Sequence, residues 1–360
     1  MSTSFGADVR DEIDNVVEHF NGNHADTVQL IAQELMPQAA CTEAQIARVT
    51  PEQIVLETRD ASGVSSLTAL ELPGKARDLA TLQQGLMALL AQARSAAAAD
   101  TPLTSLEAEI AHTQTLATYH TEVVATEMVA PGIRQLTVRG GLEAFQSPGW
   151  DAFVLVITPP DGMTELPDDF TMASYRSWQE EPKPGGAYYT IRQARENELD
   201  LWFVLHGDEG AVSRWATAAE PGARVVLWGP RVAFNPPPGT RRYLLIGDET
   251  AQPAIAAIID GLEEGCEVRA LLETQRETTA APVPARAPGA NRWCYRGDAA
   301  PGTSDVLLTA VQNEEIDPDG LYVFGAAATK RIAEIRRFLK QERGVPNSQM
   351  HLTGYWRAPR

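Results

Sequence analysis

The chain has 360 residues, 44% of them hydrophobic and 22% charged, which is enough for two or three domains with their own cores and excludes a fibrous or wholly disordered protein. A formal net charge of -18 excludes nucleic acid as partner, because a phosphate backbone must be met by Lys and Arg that this chain does not have to spare. The three cysteines, Cys41, Cys266 and Cys294, show no CxxC spacing, so neither a structural zinc site nor a disulfide framework is expected, and any metal arrives with a ligand.

The acid excess is uneven: residues 1–110 hold 16 acidic and 6 basic side chains, a net of -10. No apolar run approaches the roughly 18 residues of a membrane span, and the start lacks the basic and apolar regions of a signal peptide. A cytoplasmic protein without a membrane span is the expectation.

Residues 11–35 carry Ile13, Val16, Val17, Phe20, Val28, Ile31 and Leu35 at three- and four-residue steps, which predicts one long amphipathic helix. His24 lies on or beside its buried stripe and reads either as a core or cap histidine or as a haem or metal ligand. Three alternating stretches, "AQIARVT", "QIVLETRD" and "SSLTALEL", predict strands separated by turns. A second helix runs through Leu79, Leu82, Leu86, Leu89 and Leu90. Residues 1–100 are therefore expected to form an α+β accessory domain, followed by the small, polar linker "SAAAADTPLTS".

Strand texture then takes over, in "TEVVATEMV", "IRQLTVRG", "AFVLVITPP", "AYYTIRQAR", "LDLWFVLHG" and "ARVVLWGP", with one short helix, "GAVSRWATAAE", interrupting. Frequent Gly and Pro punctuation predicts a small antiparallel β-barrel over residues 111–235. After the proline-rich "AFNPPPGTRR" the pattern alternates: strand "YLLIGDET", helix "AQPAIAAIIDGLEEG", strand "EVRALLE", helix "DVLLTAVQ", strand "LYVFGAA", helix "RIAEIRRFLKQERG", strand "QMHLTGYWR". Residues 236–360 thus predict an α/β domain with a parallel sheet and a nucleotide crevice at its carboxyl edge. "QRETTAAPVPARAPGAN" reads as a long loop within it.

Five segments, "AYYTIR", "LHG", "GAVSRWA", "GDETAQPAI" and "GYWR", stand in the order and at the spacing of motifs of the siderophore-interacting family of FAD-dependent ferric-siderophore reductases. From about residue 112 to 357 the chain resembles that family, whose fold is ferredoxin-reductase-like, with FAD on the barrel and NADPH or NADH on the α/β domain. The resemblance assigns flavin contacts to Tyr189, Thr190, Ile191, Arg192, His206, Gly207, Ser213 and Trp215. It assigns NAD(P)H contacts to Gly247, Asp248, Glu249, Thr250, Gly325, Tyr355 and Trp356.

Physical reasons accompany these assignments. Tyr189 offers a flat apolar face to a flavin ring. Thr190 offers a hydroxyl or amide to the N5 side of that ring, and the planar fork of Arg192 suits a diphosphate, with Arg195 as a second candidate. Ser213 sits where the start of "GAVSRWA" would seat pyrophosphate. Trp215 reads more readily as core, while Asp248 and Glu249 read equally as satisfying a turn, and Tyr355 and Trp356 equally as packing.

The chain departs from the family pattern at Ala187, where an arginine is expected, at Leu155 for a lysine, at Ala211 for a proline, and at Ala327 and Ala328 for Gly and Glu. "HFNGNHADTVQLIAQ" resembles a small domain attached to some haem-degrading or pyridoxamine-phosphate-oxidase-like split-barrel proteins. The expected activity is reduction of a ferric siderophore or other ferric chelate through the flavin, without a catalytic side chain or protein-bound metal. Two alternatives stand beside it. In one, the flavin half serves a haem or a protein held by the N-terminal module; in the other, the chain binds an iron complex without catalysis.

Overall fold

The computed structural model describes residues 5, 7–36, 41–205 and 210–358, in two compact units, Met1–Thr115 and Leu116–Arg360. No helix of the described residues is long and apolar enough to cross a membrane.

The first unit comprises helices α1 (Ala7–Asn23) and α2 (Ala25–Leu35), strands β1 (Glu43–Val49), β2 (Gln53–Arg59) and β3 (Ser65–Glu71), and helices α3 (Leu79–Ala96) and α4 (Ser105–Thr115). The strands form one antiparallel sheet in sequence order, and Phe20, Val28, Ile31, Ile46, Leu56, Leu82, Leu86 and Leu89 pack into one core.

The single helix expected over residues 11–35 is two, broken at His24. Gly22 and Asn23 are poor helix formers. Asn21 is tied to both main-chain groups of Ile46, donating at 2.9 Å and accepting at 2.7 Å. His24 is 4% exposed at the N-cap position of α2, with Nδ1 3.0 Å from Ser105 Oγ and Nε2 3.2 Å from His19 Nε2. Burial lowers its pKa. Ser105 in turn donates to Asp26 Oδ1 at 2.6 Å, so both nitrogens of the ring serve packing contacts within this unit.

The second unit opens with strands β4 (Ala117–Ala130), β5 (Ile133–Arg139) and β6 (Phe153–Thr158), helix α5 (Met172–Ser177), strands β7 (Gly185–Arg195) and β8 (Glu198–Val204), helix α6 (Ala211–Ala218) and strand β9 (Arg224–Arg231). These strands close an antiparallel barrel in the order β4-β5-β8-β7-β6-β9. Its interior is filled by Val123, Leu136, Val154, Val156, Ile191, Leu201, Phe203 and Leu227, the inward positions of each strand.

The chain then forms β10 (Arg242–Gly247), α7 (Gln252–Gly261), β11 (Glu267–Thr274), β12 (Asn291–Tyr295), α8 (Val306–Gln312), β13 (Leu321–Ala328), α9 (Thr329–Glu342) and β14 (Met350–Trp356). The sheet is parallel throughout, ordered β12-β11-β10-β13-β14. Strand β12 lies beyond the four strands read from the sequence, and follows the long loop. Because the winding reverses between β10 and β13, a crevice opens at their carboxyl ends, the place where such sheets take ligands. A barrel followed by a doubly wound sheet is the ferredoxin-reductase-like arrangement.

Candidate functional site

Strand β7 is unevenly paired. It runs beside β6 along Gly185–Thr190, but among the described residues it meets β8 only from Ile191 onward. The Ile191 amide donates to the Ala152 carbonyl at 2.7 Å. Main-chain groups alternate sides along a strand, so those of Tyr188 and Thr190 point toward the side where β8 pairing has ended. Among the described residues the ladder thus has an open seam along the first half of β7.

Tyr189 and Thr190 point to opposite faces of β7. Tyr189 is half-buried, its ring centroid 4.3 Å from that of Phe203, which lies 6.4 Å from the ring of Trp215 on α6. Burial pushes the Tyr189 phenol up to about 12. Thr190 is 5% exposed and interacts with Tyr355 of β14. A planar ring entering the seam edge-on finds an aromatic wall on one side and the Thr190 main chain at its rim.

A candidate seat for an anion lies at the start of the same seam. A Cβ on Gly185 would stand 2.5 Å from Thr158 Oγ1 and 2.9 Å from Ala211 Cβ, so only glycine lets the first turn of α6 approach this strand. Thr158 Oγ1 and Ser213 Oγ are both buried without a hydrogen-bond partner. Two orphaned hydroxyls beside the free N–H groups of a helix start suit phosphate oxygens, and the donors present fit an anion there.

Arg192 is not at that seat. It lies seven residues along β7 from Gly185, on the order of 20 Å away at the usual rise of a strand. Its guanidinium pairs with Asp260 of α7 at 2.7 Å and covers the Trp202 ring at 5.4 Å. Arg192 thus anchors the barrel to the sheet. Arg195 likewise holds Asp200, at 2.6 and 2.7 Å. Ile191, 3% exposed in the barrel core, contributes packing. His206 and Gly207 lie outside the described residues.

At the crevice, Gly247 ends β10 and Asp248 follows it, 4% exposed. Asp248 Oδ1 accepts from the Thr250 amide at 2.9 Å and its hydroxyl at 2.5 Å, while Oδ2 accepts from the Ala328 amide at 3.1 Å and Trp356 Nε1 at 2.8 Å. One carboxylate therefore ties together the ends of β10, β13 and β14. Glu249 pairs with Arg296 at 2.5 Å, and Arg296 also reaches Glu273 at 3.7 Å. Burial, with Asp248 nearby, pushes Glu273 up to about 7. The acids of "GDET" thus brace the crevice floor.

Gly325 is a packing position: a Cβ there would fall 2.5 Å from the Ile246 carbonyl, in the middle of the sheet. Thr158, Arg296 and Glu273 escaped the sequence reading. Each has ordinary strand or loop neighbours, and only the fold brings it to the site.

Asp151, just before β6, is 1% exposed. Its Oδ2 accepts the Ala233 and Phe234 amides at 3.0 and 2.9 Å, while Oδ1 is buried without a partner. Burial pushes its carboxyl from 3.8 up to about 6. A raised folded-state pKa favours the fold below the unfolded value and loses that stabilisation as pH climbs through 3.8 to 6, a cost of about 3 kcal/mol above pH 6. Asp151→Asn should therefore be more stable than the parent at pH 8 by up to about 3 kcal/mol, with the difference fading near pH 4. Urea unfolding at several pH values measures it.

Comparison with known proteins places this geometry. Residues 122–234 match the model of the siderophore-interacting FAD-binding domain, and residues 240–359 that of the siderophore-interacting protein. An uncharacterized protein of Mycobacterium tuberculosis is 30% identical over 256 residues, covering 66% of this chain and 90% of its own. The NADPH-dependent ferric-chelate reductase of Escherichia coli is 25% identical over 242 residues, covering 66% and 91%. The crystal structure of a siderophore utilization protein from T. fusca superposes with a TM-score of 0.59 at 28% identity, covering 68% of this chain and 94% of that one. Both family matches begin after residue 121, so the first unit lies outside them.

Proposed function

This chain belongs to the siderophore-interacting protein family, whose cofactors are FAD and NAD(P)H, and from that premise we propose that it is a ferric-chelate reductase. One NAD(P)H reduces two Fe(III) to two Fe(II), yielding NAD(P)+ and one proton. FAD supplies the conversion of a two-electron hydride into single electrons. Fe(II) holds hard oxygen ligands more weakly than Fe(III), so reduction releases the metal.

The observation that carries the reading is the open β7 seam with Tyr189 and Thr190 at one end and the α6 seat at the other. In this reading Tyr189 and Trp215 would wall the flavin ring, Thr190 would lie at its rim, and Thr158, Ser213 and the α6 amides would hold the diphosphate. Tyr355 interacts with Thr190 of the flavin strand, and its neighbour Trp356 donates to Asp248 at the crevice. The barrel of residues 111–235 takes the flavin, residues 236–360 take the dinucleotide, and residues 1–100 form an accessory module.

Anaerobic NADPH or NADH is expected to bleach the flavin absorbance of the purified holoprotein, and a ferric chelate to restore it as a ferrous trap turns coloured. Bleaching without restoration by any ferric chelate would exclude this substrate class.

A further inference from the structure

The proposed reaction releases one proton per NAD(P)H, and that proton starts beside Thr190, which is 5% exposed. Tyr355, which interacts with Thr190, senses the charges of two buried carboxylates, Asp151 and Asp248. Asp248 has little room for a proton, since each of its oxygens already accepts two donors. Asp151 differs. Its Oδ2 accepts the Ala233 and Phe234 amides, while its Oδ1 is buried without a partner, an arrangement that costs stability and calls for a reason.

The strands bring that oxygen toward the flavin strand. Phe153 pairs with Thr190, and the Ala152 carbonyl takes the Ile191 amide at 2.7 Å. Asp151 therefore stands diagonally across from Thr190, about 7–8 Å away between Cα atoms. Ala152 packs into the barrel core, so its neighbours Asp151 and Phe153 turn to the outer face, which Thr190 shares.

We propose that Asp151 Oδ1 accepts, by way of the Thr190 hydroxyl, the proton left behind when the second electron passes to iron. The hydroxyl takes up that proton as its own passes to Oδ1, the carboxylate becomes a carboxylic acid, and the acid gives the proton to water before the next hydride arrives. No electron moves in this step, and one proton crosses per NAD(P)H. Burial pushes the carboxyl up to about 6, close enough to neutrality to take and return a proton. Of the titratable groups around it, Tyr322 on β13 and Tyr355 on β14 have phenols pushed up by burial and stay neutral, and Arg192 across the ladder is paired with Asp260.

This inference rests on the reductase reading, and its test separates the two. Anaerobically reduced holoprotein is mixed with a ferric chelate and, in parallel, with ferricyanide, a one-electron oxidant that needs no chelate site. In the parent, reoxidation by ferricyanide should quicken as pH rises through about 6 and level off above it, because only the ionised carboxylate accepts. Asp151→Asn should reoxidise at least about tenfold more slowly above that step and lose the step itself, while binding FAD and bleaching with NAD(P)H like the parent. Asp151→Glu, which keeps a carboxylate, should recover part of the rate and decides the matter should Asp151→Asn fail to fold. Infrared titration of the apoprotein should show a buried carboxylic acid with a midpoint near pH 6 that Asp151→Asn lacks. An Asn variant that reoxidises like the parent, a pH step that survives in it, or no such acid in the parent would overturn the inference. Reoxidation by ferricyanide in the expected pattern, with no ferric chelate active, would instead overturn the reductase reading and leave this inference standing.

Discussion

Tyr189→Ala is expected to weaken FAD binding about a hundredfold, while Tyr189→Phe should stay within about threefold of the parent. The ring of Tyr189 is the near half of an aromatic wall that continues through Phe203 to Trp215. On the proposed reading its removal would take away much of the apolar area on which one face of an isoalloxazine would be buried, about 3 kcal/mol at the usual value per unit area. The hydroxyl contributes little to that wall, which is why phenylalanine suffices. Quenching of flavin fluorescence on titrating FAD with apoprotein measures the effect. Should the alanine variant bind like the parent, the ring must lie elsewhere.

Asp248→Ala should destabilise the fold by about 4 kcal/mol and raise the KM for NAD(P)H far more than it lowers the rate of later electron transfer. Its carboxylate accepts from the Thr250 amide and hydroxyl, the Ala328 amide and Trp356 Nε1, and those buried donors are left unsatisfied in the alanine variant. Asn keeps one acceptor oxygen, so Asp248→Asn should cost about half as much. Urea unfolding reads the stability, and stopped-flow bleaching against NAD(P)H concentration reads the crevice. A loss of kcat with unchanged KM would point to direct chemistry at Asp248 instead of bracing.

Much of this architecture was legible in the chain because strands and helices that bury one face must repeat their apolar residues at fixed steps. Where that signal fails, the reading failed. Helix α4 buries no side chain and so leaves no stripe, and "NRWCY" of β12 is a short, half-polar edge segment adjoining a long loop. The stripe of residues 11–35 continues straight across His24, and periodicity cannot register a break that preserves the buried face. The site divides the same way. Tyr189 and Thr190 stand out as residue types foreign to a buried strand, and the fold brings them to an open seam. Spacing along β7 reveals which face Arg192 occupies but not its pairing with Asp260 of α7. Thr158 and Asp151 carry no local signature, since each gains its meaning from a partner on another strand.

A crystal structure of the FAD complex tests the central claim most directly. The account requires the isoalloxazine to lie against Tyr189 with its N5 edge at the Thr190 main chain, and the diphosphate to touch Ser213 and the start of α6. A ring bound away from β7, or a diphosphate seated at Arg192, would contradict it.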